Sequence, residues 1–88
     1  MSKLIKADGT TVEVRPNNGT DYTLEELQGF VGGYIEIVPT YKDDEILVVN
    51  EEGKLEGLPF NKEATLLARI SWDYIAGDAL LCKSSEVR

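Results

Sequence analysis

The sequence predicts an α+β domain: a mostly antiparallel sheet of about five to six strands with two short helices packed on one face. Three observations carry this expectation. Short apolar segments alternate at period two and are joined by turns rich in Gly, Asp and Asn, the pattern of hairpins. Two segments carry helix-start signals. Regular strand–helix–strand alternation is missing, which disfavours a parallel sheet. Eighty-eight residues suit one core, assigned to residues 1–83, with 84–88 ("SSEVR") read as a frayed tail.

The first two strands, "KLIK" and "TVEVR", flank Asp8-Gly9, a strong hairpin signal. In the second of them, alternation turns Val12 and Val14 toward the core. Pro16-Asn17-Asn18-Gly19 then breaks the chain into a loop. In "YTLEELQGFVGG", Thr23 is the N-cap and Glu26 completes a capping box. Tyr22 is spaced to pack on Leu27, and Leu24, Leu27, Phe30 and Val31 form one apolar stripe. Gly32-Gly33 supply a left-handed stop. Each of these residues has a structural job, and none is left over for chemistry.

"YIEIVP" alternates as an amphipathic strand ended by Pro39, whereas "ILVVN" is apolar throughout and reads as a strand covered on both faces. Asn50-Glu51-Glu52-Gly53 is expected to turn with Gly53 left-handed, and Lys54-Leu55-Glu56 to begin a returning strand. Asn61 is the N-cap of a second helix, "NKEATLLARI", with Glu63 in its first turn and Arg69 in its last. Ala64, Leu67 and Ala68 share one face of it. "YIAGDALLCK" closes the sheet, with Gly77 at a bulge or close approach.

Composition narrows the function. Sixteen acidic against nine basic residues give a net charge of −7, so direct nucleic-acid binding, which needs a basic face, is not expected. No apolar run approaches the ~20 residues of a membrane span, and no signal peptide is recognisable, so a soluble, cytoplasmic protein with no membrane partner is expected. Histidine is absent, removing the commonest general base and metal ligand. The single Cys82 makes neither a disulfide nor a zinc site and reads as a small core residue. No phosphate-cradling glycine pattern occurs. The chain therefore reads as a non-enzyme without a cofactor.

The acidic turns Asp43-Asp44-Glu45 and Glu51-Glu52 lack the alternation of a calcium loop. They fall at opposite ends of one strand, roughly 15 to 20 Å apart at ~3.3 Å per residue, too far for one ion. Trp72 and Tyr74 stand at i and i+2 in "ISWDYIAG", a spacing that presents both rings on one side of a strand.

The stretches "LQGFVGGYIEIVP", "VVNEEGKLEGLPFN" and "DYIAGDALL" resemble a family of small phage and bacterial proteins known as domain of unknown function 3846. The resemblance spans about residues 10 to 83. It rests on a helix ending in V-G-G-Y-I-E, a strand running into N-E-E-G-K, then G-L-P-x-N, and a closing I-x-G before an apolar strand. Phe60 stands where a second proline is common in that family, and Ala76 where a bulkier apolar residue is usual. The resemblance implies no catalytic residue. It implies, from genomic company, a phage or mobile-element protein that interferes with a host system.

In "NEEGKLEGLPFN", the turn, the Gly57-Leu58-Pro59 corner and the Asn61 cap account for much of the pattern. The remaining polar groups form the candidate surface: Asn50, Glu51, Glu52 and Lys54, with Tyr34 and Glu36 of the facing "VGGYIE", and the aromatic pair Trp72 and Tyr74. The expected function is a non-catalytic binding module for a host protein or a small ligand. The alternative is an acidic, nucleic-acid-mimicking decoy for a DNA- or RNA-binding host protein. The sequence carries no coiled-coil seam and leaves the oligomeric state open.

Overall fold

A computed structural model describes residues 2–70 and 73–87. The elements are β1 (Ser2–Ile5), β2 (Thr11–Val14), α1 (Leu24–Val31), β3 (Ile35–Pro39), β4 (Glu45–Asn50), α2 (Lys62–Leu67) and β5 (Ala79–Lys83). The strands form one sheet in the order β2-β1-β5-β4-β3, every neighbour antiparallel. The α+β class and antiparallel sheet are thus as expected, with five strands. The last strand in the chain fills the middle of the sheet, so the fold closes only when β5 enters between β1 and β4. No helix among the described residues is long and apolar enough to cross a membrane.

The helices do not share a face, and here the expectation is corrected. Leu47 and Val49 of β4 pack with Ala64 and Ala68 of the α2 segment, together with Val38, Ile75 and Ala79. Val48, between them in sequence, points the other way and joins Leu27 and Val31 of α1, with Tyr22, Leu80 and Cys82. Successive strand residues alternate faces, so the uninterrupted apolar runs of β4 and β5 demand cover on both sides. α1 supplies it on one face and α2 on the other.

α1 forms where its capping box predicts. Thr23 Oγ1 accepts from the Glu26 N–H (3.2 Å), and Glu26 Oε1 accepts from the Thr23 N–H (2.9 Å). Tyr22 is fully buried and meets Phe30 edge-on at 5.6 Å. Gly32 alone takes the left-handed stop, at φ 80°. Two apolar residues stay outside the core: Leu24, on the exposed flank of α1, and Val12, which is 45% exposed. Val12 faces the same side as Leu4, but α1 packs on β3, β4 and β5 and leaves that flank uncovered.

α2 is short and is anchored by Asn61, which is 1% exposed. Its Oδ1 accepts from the Ala64 N–H (3.0 Å), while its Nδ2 donates to the carbonyls of Ile5 and Gly77, both at 2.9 Å. Its backbone N–H donates to the Ile75 carbonyl (2.8 Å). One side chain therefore caps a helix and ties it to β1 and to the segment leading into β5. α2 ends at Leu67. Ala68 bridges Thr40, and the Arg69 N–H donates to the Pro39 carbonyl (2.8 Å), so Arg69 lies beyond the helix rather than in its last turn.

Residues 51–57 form a single helical turn instead of a hairpin with a returning strand. Asn50 opens it, its Oδ1 accepting from the Glu52 N–H (2.7 Å). Gly57, at φ 69°, closes it: the Leu58 N–H donates to the Gly53 carbonyl (2.9 Å) and the Gly57 N–H to the Lys54 carbonyl (3.2 Å). This is the six-to-one and five-to-two pairing of a Schellman stop. Gly57 is thus the left-handed residue of the turn, and Gly53 is required for space. A Cβ on Gly53 would lie 2.6 Å from the Ala76 carbonyl oxygen.

The tail expected to fray is packed through residue 87. Ser84–Glu86 form a 3-10 turn, and Val87 bridges Tyr22 in parallel. Glu86 is buried and accepts from the Lys83 N–H (2.9 Å) and the Ser2 hydroxyl (3.1 Å). Burial raises its pKa, yet the net balance, to which these hydrogen bonds contribute, holds the carboxyl below the ordinary glutamate value.

Three substitutions test this arrangement. Asn61→Asp places a carboxylate oxygen against two carbonyls, and urea unfolding at neutral pH should show a loss of roughly 3 kcal/mol or more. That loss should shrink in acid, where the buried carboxyl protonates and regains a donor. Gly53→Ala should cost about 1–3 kcal/mol through overpacking. Gly29→Ala, in the exposed helix position where a Cβ meets nothing within 4 Å, should instead stabilise by up to about 1 kcal/mol.

Candidate functional site

The 51–57 turn gathers most of the residues that the sequence singled out, and gives them unequal roles. Asn50 is a fastener. Only 6% exposed, its Nδ2 donates to the Val31 carbonyl (3.1 Å) and to Glu56 Oε1 (3.2 Å), joining the end of α1 to the turn. It also lies against Gly33, where a Cβ would stand 3.0 Å from Nδ2. The Glu51 N–H donates to the Tyr34 carbonyl (2.9 Å), continuing the β3–β4 ladder by one pair. The side chains of Glu51, Glu52, Lys54, Tyr34 and Glu36 are exposed.

The turn divides these groups into two depressions. One of about 50 Å³ is lined by Glu36, Asn50, Glu51, Lys54 and Tyr74. The other, about 230 Å³, lies between Gln28, Gly33, Tyr34, Glu52 and Glu56. Trp72 lies outside the described residues.

Tyr74 is not isolated. Its ring packs edge-on against Phe60 at 5.8 Å, and the Lys54 ammonium sits 5.0 Å from the Tyr74 centroid. Lys54 is itself ion-paired with Asp73. Hydrogen bonds from Lys54 and from the Tyr74 N–H hold the Asp73 carboxyl below the usual aspartate range. Phe60 is 53% and Tyr74 44% exposed. The result is a fixed aromatic pair on the surface, one ring carrying a cation, with Leu55 at 86% exposure in the adjoining turn. Sequence reasoning missed Phe60 and Asp73. Phe60 follows Pro59 in a segment read as a corner, and only the Phe60–Ala76 bridge brings it to Tyr74.

A larger groove, about 320 Å³, lies elsewhere and had no signal along the chain. It opens on the α2 face at the other end of the sheet, where Lys3 of β1 and Leu81 of β5 are register partners. Leu66 and Leu67 at the end of α2 form one wall, and Tyr41 and Lys42 of the β3–β4 connection form another. That connection is fixed by Thr40, whose hydroxyl donates to the Glu45 carbonyl (3.0 Å) and accepts from the Lys42 N–H (3.2 Å).

The two acidic clusters fall at opposite ends of β4 and share no ligand position, and among the described residues no three carboxylate or thiol groups converge as a metal site. Cys82 is buried, and burial first, then the Glu86 and Glu45 carboxylates, push its thiol up to about 12. On the order of one thiol in 10⁴ is then ionised at pH 8. Iodoacetamide at pH 8 should leave the folded protein unmodified by mass spectrometry and add one group once urea unfolds it. Rapid alkylation of the folded form would contradict the buried placement.

No curated protein and no solved structure was found to match the chain. Residues 1–87 match the family described as "Domain of unknown function (DUF3846)". Since the match takes in all five strands and both helices, the chain belongs to the DUF3846 family of domains of unknown function.

Proposed function

We propose that this domain is a non-catalytic, cytoplasmic binding module that docks on a protein partner through the aromatic surface of Phe60 and Tyr74. The observation that carries the reading is the exposed edge-to-face pair itself, held in place by Lys54 and backed by the Phe60–Ala76 bridge. Aromatic rings with few rotatable bonds dominate binding energy at protein interfaces, and rings already fixed lose little entropy on docking. Glu36 and Glu51 flank this surface, and Glu52 and Glu56 lie across the turn. The complementary partner has an apolar pocket with a basic rim. The company that the family keeps makes a host protein targeted by a phage or mobile element the first partner to test.

An acidic decoy for a nucleic-acid-binding protein is the weaker reading. The sixteen acidic residues are spread along the chain, and the two clusters at the ends of β4 are interleaved with Lys42, Lys54 and Lys83, which pair with Glu45, Asp73 and Asp44.

The test is capture from host lysate with the native chain and with the Phe60→Ser/Tyr74→Ser variant, each at about 0.1 M and about 1 M salt, where the screening length falls from ~10 Å to ~3 Å. A partner retained by the native chain at high salt and lost with the variant is the expected result. A partner lost with salt from both proteins alike would overturn the aromatic reading in favour of the decoy.

A further inference from the structure

The groove beside α2 is independent of the aromatic surface. It sits at the Glu45 end of β4, whereas the 51–57 turn sits at the Asn50 end, roughly 16 Å away at ~3.3 Å per residue. Two features set it apart from the rest of the surface. Its floor and wall are apolar, from Leu66, Leu67 and Leu81, and its rim carries Lys3, Lys42 and Lys83. Three of the nine cations of a chain with net charge −7 thus converge on one concavity, with Glu45 as the single carboxylate of the lining.

The state of the three ammonium groups decides what they can do. Lys3 has no ion-pair partner among the described residues. Lys42 pairs loosely with Glu45 at 3.8 Å, and Lys83 pairs with Asp44 at 2.8 Å across side chains that are both more than half exposed. Long or exposed pairs of this kind contribute little to stability, so both lysines are free to turn toward an anion that also gains apolar contact. Glu45, however, would repel a second negative charge.

We infer that this groove binds a small monoanionic molecule with a compact apolar body, of the aryl-carboxylate type. The carboxylate would meet Lys3 and its neighbouring lysines, and the apolar body would lie on Leu67 and Leu81 beneath Tyr41. A volume of about 320 Å³ is at the lower end of the ~300–1,000 Å³ typical of small-molecule sites. Three lysines without an arginine fork suit a point charge better than bidentate recognition of a multiply charged phosphate. Tyr41, 71% exposed at the rim, is a ring that gains cover only when something occupies the groove.

The experiment is a ¹H–¹⁵N titration of the full chain with 4-phenylbutyrate and, separately, with its neutral amide. The expected result is saturable shifts at Lys3, Tyr41, Lys42, Leu81 and Lys83, with the amide binding at least about tenfold more weakly. Lys3→Glu and Lys42→Glu, both exposed substitutions whose folding the same spectra verify, should each weaken the carboxylate about tenfold and leave the amide unchanged. Lys62→Glu, outside the groove, should change neither. Shifts absent from the groove, or equal binding of acid and amide that survives both variants, would overturn the assignment.

Discussion

The hydrogen bonds of the Asn61 amide hold the architecture together. The last strand must enter the sheet between the first and the fourth, so the chain needs a device joining β1, the approach to β5 and the helix that covers both. Asn61 provides it with one buried side chain, accepting from α2 and donating to Ile5 and Gly77. No other short side chain does this. Aspartate lacks the donors, and serine or threonine has one donor where two carbonyls need one each. Leaving either buried carbonyl unpaired costs about 1–3 kcal/mol, a large share of the stability of so small a domain.

Around that node the two faces of the sheet are built differently. The α2 face sets the small residues Ala64, Ala68 and Ala79 beside Val38, Leu47, Val49 and Ile75, and of the six-residue helix itself only Ala64 is buried. The α1 face carries Tyr22, Leu27 and Leu80 at full burial and is sealed at its edge by the tail, through Glu86 and Val87. The short helix leaves the flank over Lys3 and Leu81 open, and that opening is the groove. A longer α2 would close it. The concavity is therefore a consequence of where Ala68 leaves the helix to bridge Thr40.

The polar turn at the opposite end follows a similar economy. Its backbone bonds are satisfied by Asn50 and by the Gly57 stop, and Glu56 accepts from Asn50, so Glu51, Glu52 and Lys54 need not serve the fold. Lys54 is nevertheless positioned, by Asp73 and the Tyr74 ring, and that positioning fixes the aromatic pair. Asn50 is the exception among the residues singled out for binding. It is buried, and its side chain bonds the end of α1 and both ends of the turn, which makes it a structural residue at the base of the candidate surface.

Local signals were decided by the sequence alone: the Asp8-Gly9 hairpin, the capping box of α1, the Asn61 cap, the amphipathic alternation of β3 and the interior position of β4. Each depends on residues within a few positions of one another, where hydrogen-bond geometry admits few alternatives. The family resemblance was legible for the same reason, being carried by short motifs of that kind. The apolar run of β4 also implied cover on both faces, although hairpin counting alone suggested helices on one. Other features were settled only by tertiary structure. Gly53 reads as a turn glycine until the Ala76 carbonyl is seen against it. Val12 alternates as a core residue, yet α1 does not reach the edge strand it stands on. The tail packs because Ser2, at the far end of the chain, supplies a hydroxyl to Glu86. The lysine-rimmed groove joins residues 3, 42 and 83, whose proximity follows from strand order, a property of long-range pairing that no local periodicity encodes.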